Sequence, residues 1–216
     1  MAQLQVTEIF HSIQGESTWA GLPCVFVRLT GCNLRCAWCD TAYAYEGGQP
    51  MTVEEIVAAV AKYHTKLVEI TGGEPLIQPE CPALARRLLG AGYTVLLETN
   101  GSLPINTIPP AVIKILDLKC PDSGMMDRNH WPNVEVLNRD RDEVKFVIAS
   151  RRDYEWSRDM VRKHVLQDRC HAVLFSHVPE RIPAKSVVEW ILEDELPVRF
   201  QVQLHKHIWP PDMRGV

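Results

Sequence analysis

Cys32, Cys36 and Cys39 put three thiols within one run of eight residues, Cys32-Asn33-Leu34-Arg35-Cys36-Ala37-Trp38-Cys39, with no fourth cysteine beside them. A structural zinc site closes with four protein ligands, whereas a catalytic metal site keeps a position open. An iron–sulfur cube that only carries electrons likewise takes four thiolates. Three thiols in one short loop therefore suggest a cube with one bare iron, free to hold an exchangeable ligand. A zinc knuckle with a remote fourth ligand, or buried cysteines without metal, are the plainer alternatives.

Three further segments carry unusual polar chemistry: Thr71-Gly72-Gly73-Glu74-Pro75, Glu98-Thr99-Asn100-Gly101 and Asp117-Leu118-Lys119-Cys120-Pro121. Taken singly, Gly-Gly and Asn-Gly are common turn formers. Their positions relative to the surrounding elements give them more weight.

Short β-rich runs alternate with helical stretches. Strands are expected near Leu4–Ile9, Cys24–Leu29, Lys66–Thr71, Tyr93–Glu98, Val112–Leu118, Val144–Ala149, Ala172–Phe175 and Val198–Leu204. Helices are expected over Met51–His64, Pro79–Leu89, Arg152–Leu166 and Ala184–Glu193, the first with Thr52 and Glu55 as a capping box. Strands separated by helices imply a parallel sheet. A closed eightfold barrel needs about 250 residues, so an α/β fold with an open, incomplete (β/α) barrel and about six parallel core strands suits this chain better. No linker composition or internal repeat divides residues 1–216, which read as a single domain. In such folds ligands bind at the carboxyl ends of the strands, where the cysteine loop and the three polar segments all fall. Four polar strand ends at one mouth read as an active site.

The remaining composition narrows the function class. Of 216 residues, 46% are hydrophobic and 23% charged, ordinary for a globular chain. The net charge of −4 and the lack of a basic run argue against a nucleic-acid partner. No apolar stretch approaches the ~20 residues of a membrane span, and the start lacks the basic and apolar regions of a signal peptide. Cys24, Cys81, Cys120 and Cys170 are scattered and suit buried small hydrophobes in a reducing compartment. A cytoplasmic protein is expected.

The motifs also carry a family resemblance. Cys-x3-Cys-x2-Cys with an aromatic before the last cysteine, followed one strand later by Gly72-Gly73-Glu74-Pro75, resembles the radical S-adenosylmethionine (SAM) superfamily. The runs from His11 to Ser17, Arg28 to Leu34, Trp38 to Thr41 and Asp117 to Pro121, with Gln203-Leu204-His205-Lys206, look like the 7-carboxy-7-deazaguanine synthase family. That resemblance implies a [4Fe-4S] cluster, SAM and Mg2+. It also implies conversion of 6-carboxy-5,6,7,8-tetrahydropterin to 7-carboxy-7-deazaguanine with loss of ammonia, in queuosine-type biosynthesis. A homodimer and an external flavodoxin-like or ferredoxin-like electron donor are implied as well.

Site residues follow from the same resemblance. Cys32, Cys36 and Cys39 would bind three irons, leaving the fourth to chelate SAM, whose reductive cleavage gives a 5′-deoxyadenosyl radical. Gly73 and Glu74 would meet the SAM amino edge, with Trp38 and Asp40 beside the cofactor; Trp38 could equally just cover the cluster. Asp117 and Lys119 could reach the ribose or carboxylate of SAM, or form a solvated surface pair. Ile13, Gln14, Gly15, Glu16 and Thr71 are the expected pterin contacts. Arg28 lies in an apolar strand, where an unpaired cation is costly; a substrate carboxylate would satisfy it, and so would a buried partner such as Glu98. His205, at the end of the last expected strand, could reach substrate or be packing. For the metal, chemistry alone favours Asp40 and the resemblance favours Thr41, a neutral ligand suited to a cation already facing a substrate carboxylate. The chain continues from Ile208 to Val216, where some family members stop, so no terminal contact is carried over. Trp156 and Trp190 could be core or dimer interface. The rival readings are a glycyl-radical activating enzyme, which needs a macromolecular surface, and a non-catalytic iron–sulfur or zinc module.

Overall fold

Alternation along each strand, rather than uniform hydrophobicity, organises the architecture. The computed structural model describes residues 3–210 and 213–216; Met1, Ala2, Pro211 and Asp212, which belong to the two terminal runs read above, lie outside them. One nine-stranded sheet runs in the order β3-β1-β2-β4-β5-β6-β7-β8-β9. Its strands are β1 (Gln3–Ile13), β2 (Pro23–Leu29), β3 (Gln49–Thr52), β4 (Leu67–Gly72), β5 (Thr94–Thr99), β6 (Ile113–Leu118), β7 (Glu143–Ile148), β8 (Ala172–His177) and β9 (Arg199–Phe200). From β2 to β9 every pairing is parallel. The sheet does not close on itself, as expected for an incomplete barrel.

The helices are α1 (Val53–Val60), α2 (Cys81–Gly90), α3 (Arg151–His164), α4 (Leu166–Arg169), α5 (Ala184–Glu193) and α6 (His205–Ile208). One set of strand residues faces them. Val25, Val27, Leu29, Val68, Ile70, Val95 and Leu97 pack with Ile56, Val60, Leu84 and Leu88 of α1 and α2. Val144, Phe146, Ile148, Val173 and Phe175 pack with Tyr154, Val161, Val187 and Ile191 of α3 and α5. Burial of these apolar faces is what fixes each strand's register, because a one-residue slip would turn the whole set outward.

The opposite set points into the barrel and changes character along the strands. At the amino ends it is apolar: Cys24, Phe26, Leu67, Leu96, Ile113 and Ile115 pack with Phe10 as a plug. At the carboxyl ends the same face presents Arg28, Glu69, Thr71, Glu98, Asp117 and Lys145 to a cavity. The plug closes the bottom and the polar rungs line the top.

Several local expectations hold. Thr52 and Glu55 form the capping box of α1, worth about 1 kcal/mol, and α5 spans Ala184–Glu193 as read. Cys24, Cys81, Cys120 and Cys170 are buried. Trp156 meets Phe146 and Trp131, and Trp190 meets Tyr154, so both pack on the second core cluster.

Three expectations need correction. The helix expected from Met51 begins only at Val53, because Gln49–Thr52 pairs antiparallel with β1 as an unforeseen strand. β1 is itself antiparallel to β2. The last strand stops at Phe200 rather than running to Leu204. Its continuation turns toward the loop after β1: Gln201 Oε1 accepts from Ser17 N at 2.8 Å, and Leu204 N donates to Gly15 O at 2.9 Å. His205 therefore opens α6 instead of ending a strand.

Candidate active site

The loop after β2 begins with Gly31 at φ +95°, a left-handed turn suited to glycine. Gly31 O accepts from Glu74 N at 2.8 Å, joining the cysteine loop to the end of β4. A β-carbon on Gly73 would collide with Gly31 O and lie 2.7 Å from Cβ of Cys32. Gly73 thus seats the cysteine loop as well as lining the cavity.

Cys32, Cys36 and Cys39 are free, half-buried and line one cavity of about 890 Å³. Leu34 N and Asn100 Nδ2 donate toward Cys32 Sγ at 3.4 and 3.7 Å. Burial raises the Cys32 and Cys36 thiols; bound iron is the positive charge that would hold them as thiolates. Among the described residues no three His, Cys, Asp or Glu side chains gather as ligands of a single ion. A cube spreads its thiolates over separate irons, whereas a zinc knuckle needs four ligands on one ion. The donors aimed at sulfur also suit an iron–sulfur cluster.

Around the cavity stand nearly all the residues singled out from the sequence: Ile13, Gln14, Gly15, Glu16, Arg28, Trp38, Asp40, Thr41, Thr71, Gly73, Asp117, Lys119 and His205. Glu74 is the exception. It is fully buried and does not line the cavity. Its carboxylate accepts from Leu76 N at 3.0 Å, Thr99 Oγ1 at 2.8 Å and Asn100 N at 2.6 Å. It ties the ends of β4 and β5 together instead of reaching outward.

Arg28 finds a partner, but not Glu98. Its Nε donates to Glu8 Oε1 at 2.8 Å, and Tyr43 Oη donates to the same oxygen at 2.8 Å. Arg28 also lies over the rings of Phe10 and Tyr43, at 5.6 and 5.8 Å. Asp117 and Lys119 pair at 3.0 Å with side chains only 12% and 17% exposed, so this is no solvated surface pair. Asp117 Oδ1 is buried and has no hydrogen-bond partner among the described residues.

Two rungs escaped the sequence reading. Lys145 of β7 is buried and ion-paired with Glu16 at 2.7 Å, with Glu98, and with Asp117 at 3.5 Å. Burial works against its charge, but those carboxylates hold its pKa well above the ordinary value. Burial would raise Glu16 too, yet Lys145 and a 2.6 Å bond from Gln203 Nε2 hold it below the usual range. Glu69 of β4 receives only the Gln14 amide; burial, then the charges of Glu98 and Glu16, push its carboxyl well above normal. The signal for both was available: a charged residue at an inward position of an apolar strand, the argument already applied to Arg28.

The cavity's third wall comes from the carboxyl-terminal segment. A β-carbon on Gly15 would lie 2.5 Å from His205 Nδ1, so glycine lets the ring close on the loop. Lys206 pairs with Asp40 at 3.0 Å, and Thr41 Oγ1 donates to Asp40 at 2.9 Å. Desolvation at the cavity mouth would raise the Asp40 carboxyl, but Lys206 and Thr41 draw it down to about 2. Met213, Arg214, Gly215 and Val216 reach the same cavity, with Arg214 4.2 Å over the Tyr43 ring.

Comparison with known proteins agrees with this geometry. The radical SAM superfamily model matches residues 26–121. The 7-carboxy-7-deazaguanine synthase of Koribacter versatilis is 44% identical over 99% of this chain and 100% of its own length. That of Chlorobaculum tepidum is 46% identical over 100% of this chain and 98% of its own. Among solved structures, QueE from Escherichia coli superposes with a TM-score of 0.72 at 23% identity, covering 93% of this chain and 94% of that one. Archaeal TYW1 gives 0.57 at 13% identity, over 82% and 73%; both structures attest the fold alone. The chain belongs to the 7-carboxy-7-deazaguanine synthase family of radical SAM enzymes.

Proposed function

We propose that residues 1–216 form a single radical SAM domain that converts 6-carboxy-5,6,7,8-tetrahydropterin to 7-carboxy-7-deazaguanine with loss of ammonia. The observation that carries this reading is the meeting, in one cavity, of the three cluster thiols with Arg28, Gln14 and Glu16. The former suits a radical source and the latter a small anionic ring. The cluster and SAM, when bound, supply the radical that starts the reaction. The protein's own residues bind, orient and exclude water.

Arg28, fixed through Nε, offers its terminal nitrogens to the substrate carboxylate. Gln14, Glu16, Thr71, His205 and the backbone of Ile13 and Gly15 form the ring's hydrogen-bonding wall. Asp117, Lys119, Gly73, Trp38 and Asp40 line the SAM side. Thr41 would hold Mg2+: its hydroxyl donates a hydrogen bond to Asp40, which leaves its oxygen lone pairs for the cation. Walls built from Gln14, Gly15, Glu16, Gln203, His205 and Lys206 favour a small molecule over the macromolecular substrate of an activating enzyme.

No helix among the described residues is long and apolar enough to cross a membrane, in keeping with a cytoplasmic enzyme served by a flavodoxin-like or ferredoxin-like donor. A homodimer completes the proposal. An anaerobic assay with SAM, reductant and 6-carboxytetrahydropterin tests it. Deazaguanine formation together with ammonia is expected; SAM cleavage without any deazaguanine would refute the assignment.

A further inference from the structure

Arg35 sits between two of the three cysteines yet does not line the cavity. One terminal nitrogen donates to Cys32 O at 2.8 Å and to Leu34 O at 2.7 Å. Its guanidinium lies 4.1 Å from the centre of the Tyr45 ring. Tyr45 does line the cavity and is half-buried. The cation is thus fastened to the outer face of the cysteine loop through carbonyls on one side and an aromatic ring on the other.

The charge balance gives this arrangement a consequence. Adding an electron to a cluster held by three thiolates is opposed by every negative group nearby. Lys119 also stands close, but Asp117 pairs with it at 3.0 Å and cancels much of its charge. Arg35 makes no ion pair among the described residues; its contacts are neutral carbonyls and a ring. Arg35 is exposed, so water screens part of its charge, but no ion pair cancels it, and it is always protonated. The Tyr45 ring holds that cation against the cysteine loop from the cavity side.

We propose that Arg35 and Tyr45 are positioning residues that stabilise the reduced cluster and so set how readily the protein accepts the electron that begins turnover. An external one-electron donor supplies that electron to the cluster; no bond to either side chain forms or breaks. The proposal rests on Cys32, Cys36 and Cys39 being the cluster ligands.

Wild type, Arg35→Met, Arg35→Lys and Tyr45→Leu, reconstituted anaerobically without SAM, give the test. Iron and sulfide are counted first, and the cluster is then titrated against redox mediators with the reduced state followed by EPR. With a full cluster, Arg35→Met should show a reduced-to-oxidised ratio about tenfold lower at fixed potential, a shift of about 59 mV for one electron. Tyr45→Leu, which removes the ring that seats the guanidinium, should shift the same way and by less, and Arg35→Lys should recover part of the loss. A wild-type midpoint in cluster-loaded Arg35→Met overturns the proposal. If Arg35→Met does not hold its cluster, Tyr45→Leu decides: an unchanged midpoint there overturns it equally. Wild type that assembles no cluster would instead strike at the ligand assignment itself.

Discussion

Arg28 of β2 stands opposite Glu8 of β1 in the antiparallel ladder, and its Nε donates to Glu8 Oε1 at 2.8 Å. The ion pair fixes the guanidinium by its inner nitrogen and leaves the planar fork for the cavity. Structural anchoring and substrate binding are then two uses of one side chain. Arg28→Ala should keep the cluster and SAM cleavage but lower substrate turnover about ten- to a hundredfold, the equivalent of a charge-assisted bond of roughly 1.5–3 kcal/mol. Arg28→Lys should rescue only part, since an ammonium lacks the fork. Glu8→Gln separates the two uses: it should lower the melting temperature with a smaller effect on turnover. Arg28→Ala that melts early yet turns over normally once folded would remove the substrate role.

Cys32→Ala, Cys36→Ala and Cys39→Ala should each abolish the cluster, read as iron per chain and visible absorbance, because each removes a whole ligand. Cys24, Cys81, Cys120 and Cys170 are buried within the apolar packing, so alanine at any of them should leave iron content at the wild-type level. Loss of iron from one of these four variants would break the three-thiol argument.

The chain Lys206–Asp40–Thr41 fixes where the threonine proton points. Turnover should rise with Mg2+ in wild type, and Thr41→Ala should blunt that response. Asp40→Asn should weaken it too, since an amide is a poorer acceptor for the hydroxyl and does not hold Lys206. Magnesium titrations with and without substrate provide the measurement. Identical curves for wild type and Thr41→Ala would take Thr41 out of the metal site.

Removing Lys145 should be costly. Lys145→Met leaves Glu16, Glu98 and Asp117 facing one another without their shared cation, and breaking a buried ionic cluster from one side costs about 3–5 kcal/mol. The pH dependence has a definite sign. In wild type Glu16 has a depressed folded pKa, so its contribution is present above the ordinary carboxyl pKa of 4.5 and is lost as pH falls through the lower folded value. In the variant the stranded carboxyls have raised folded pKa values, so stability rises as pH falls from 7 toward 5. Denaturant melts of the apoprotein at both pH values should show a larger gain in stability from pH 7 to pH 5 in the variant than in wild type. Parallel trends would mean that Lys145 does not govern these acids.

How far the sequence reveals this site depends on the range of the interactions. The Thr52–Glu55 capping box is a contact three residues apart, and it was readable. The cysteine loop and Gly72-Gly73 are equally local, and both lie at strand ends where expected. Val198–Leu204 has the alternation of a strand, but Gln201, Gln203 and Leu204 bond instead to a loop almost the full chain length away. Nothing within the segment announces that competition. Gln49–Thr52 is polar and contains proline, so only its pairing with β1 makes it a strand. Lys145 and Glu69 form a middle case. Each looks like a misfit in an apolar strand, but only the assembled barrel shows that one is shared by three carboxylates and that burial and two neighbouring acids push the other's pKa up.

The bonds from Gln201, Gln203 and Leu204 to Ser17, Glu16 and Gly15 also bear on the order of events during synthesis. The thiols and the strands that flank them leave the ribosome well before residues 201–206 are made. Until those residues emerge, one side of the cavity has no wall and stays open to water. Iron and sulfide thus have an unobstructed approach to the nascent chain, whereas a pterin meets a finished binding surface only after translation has passed Lys206.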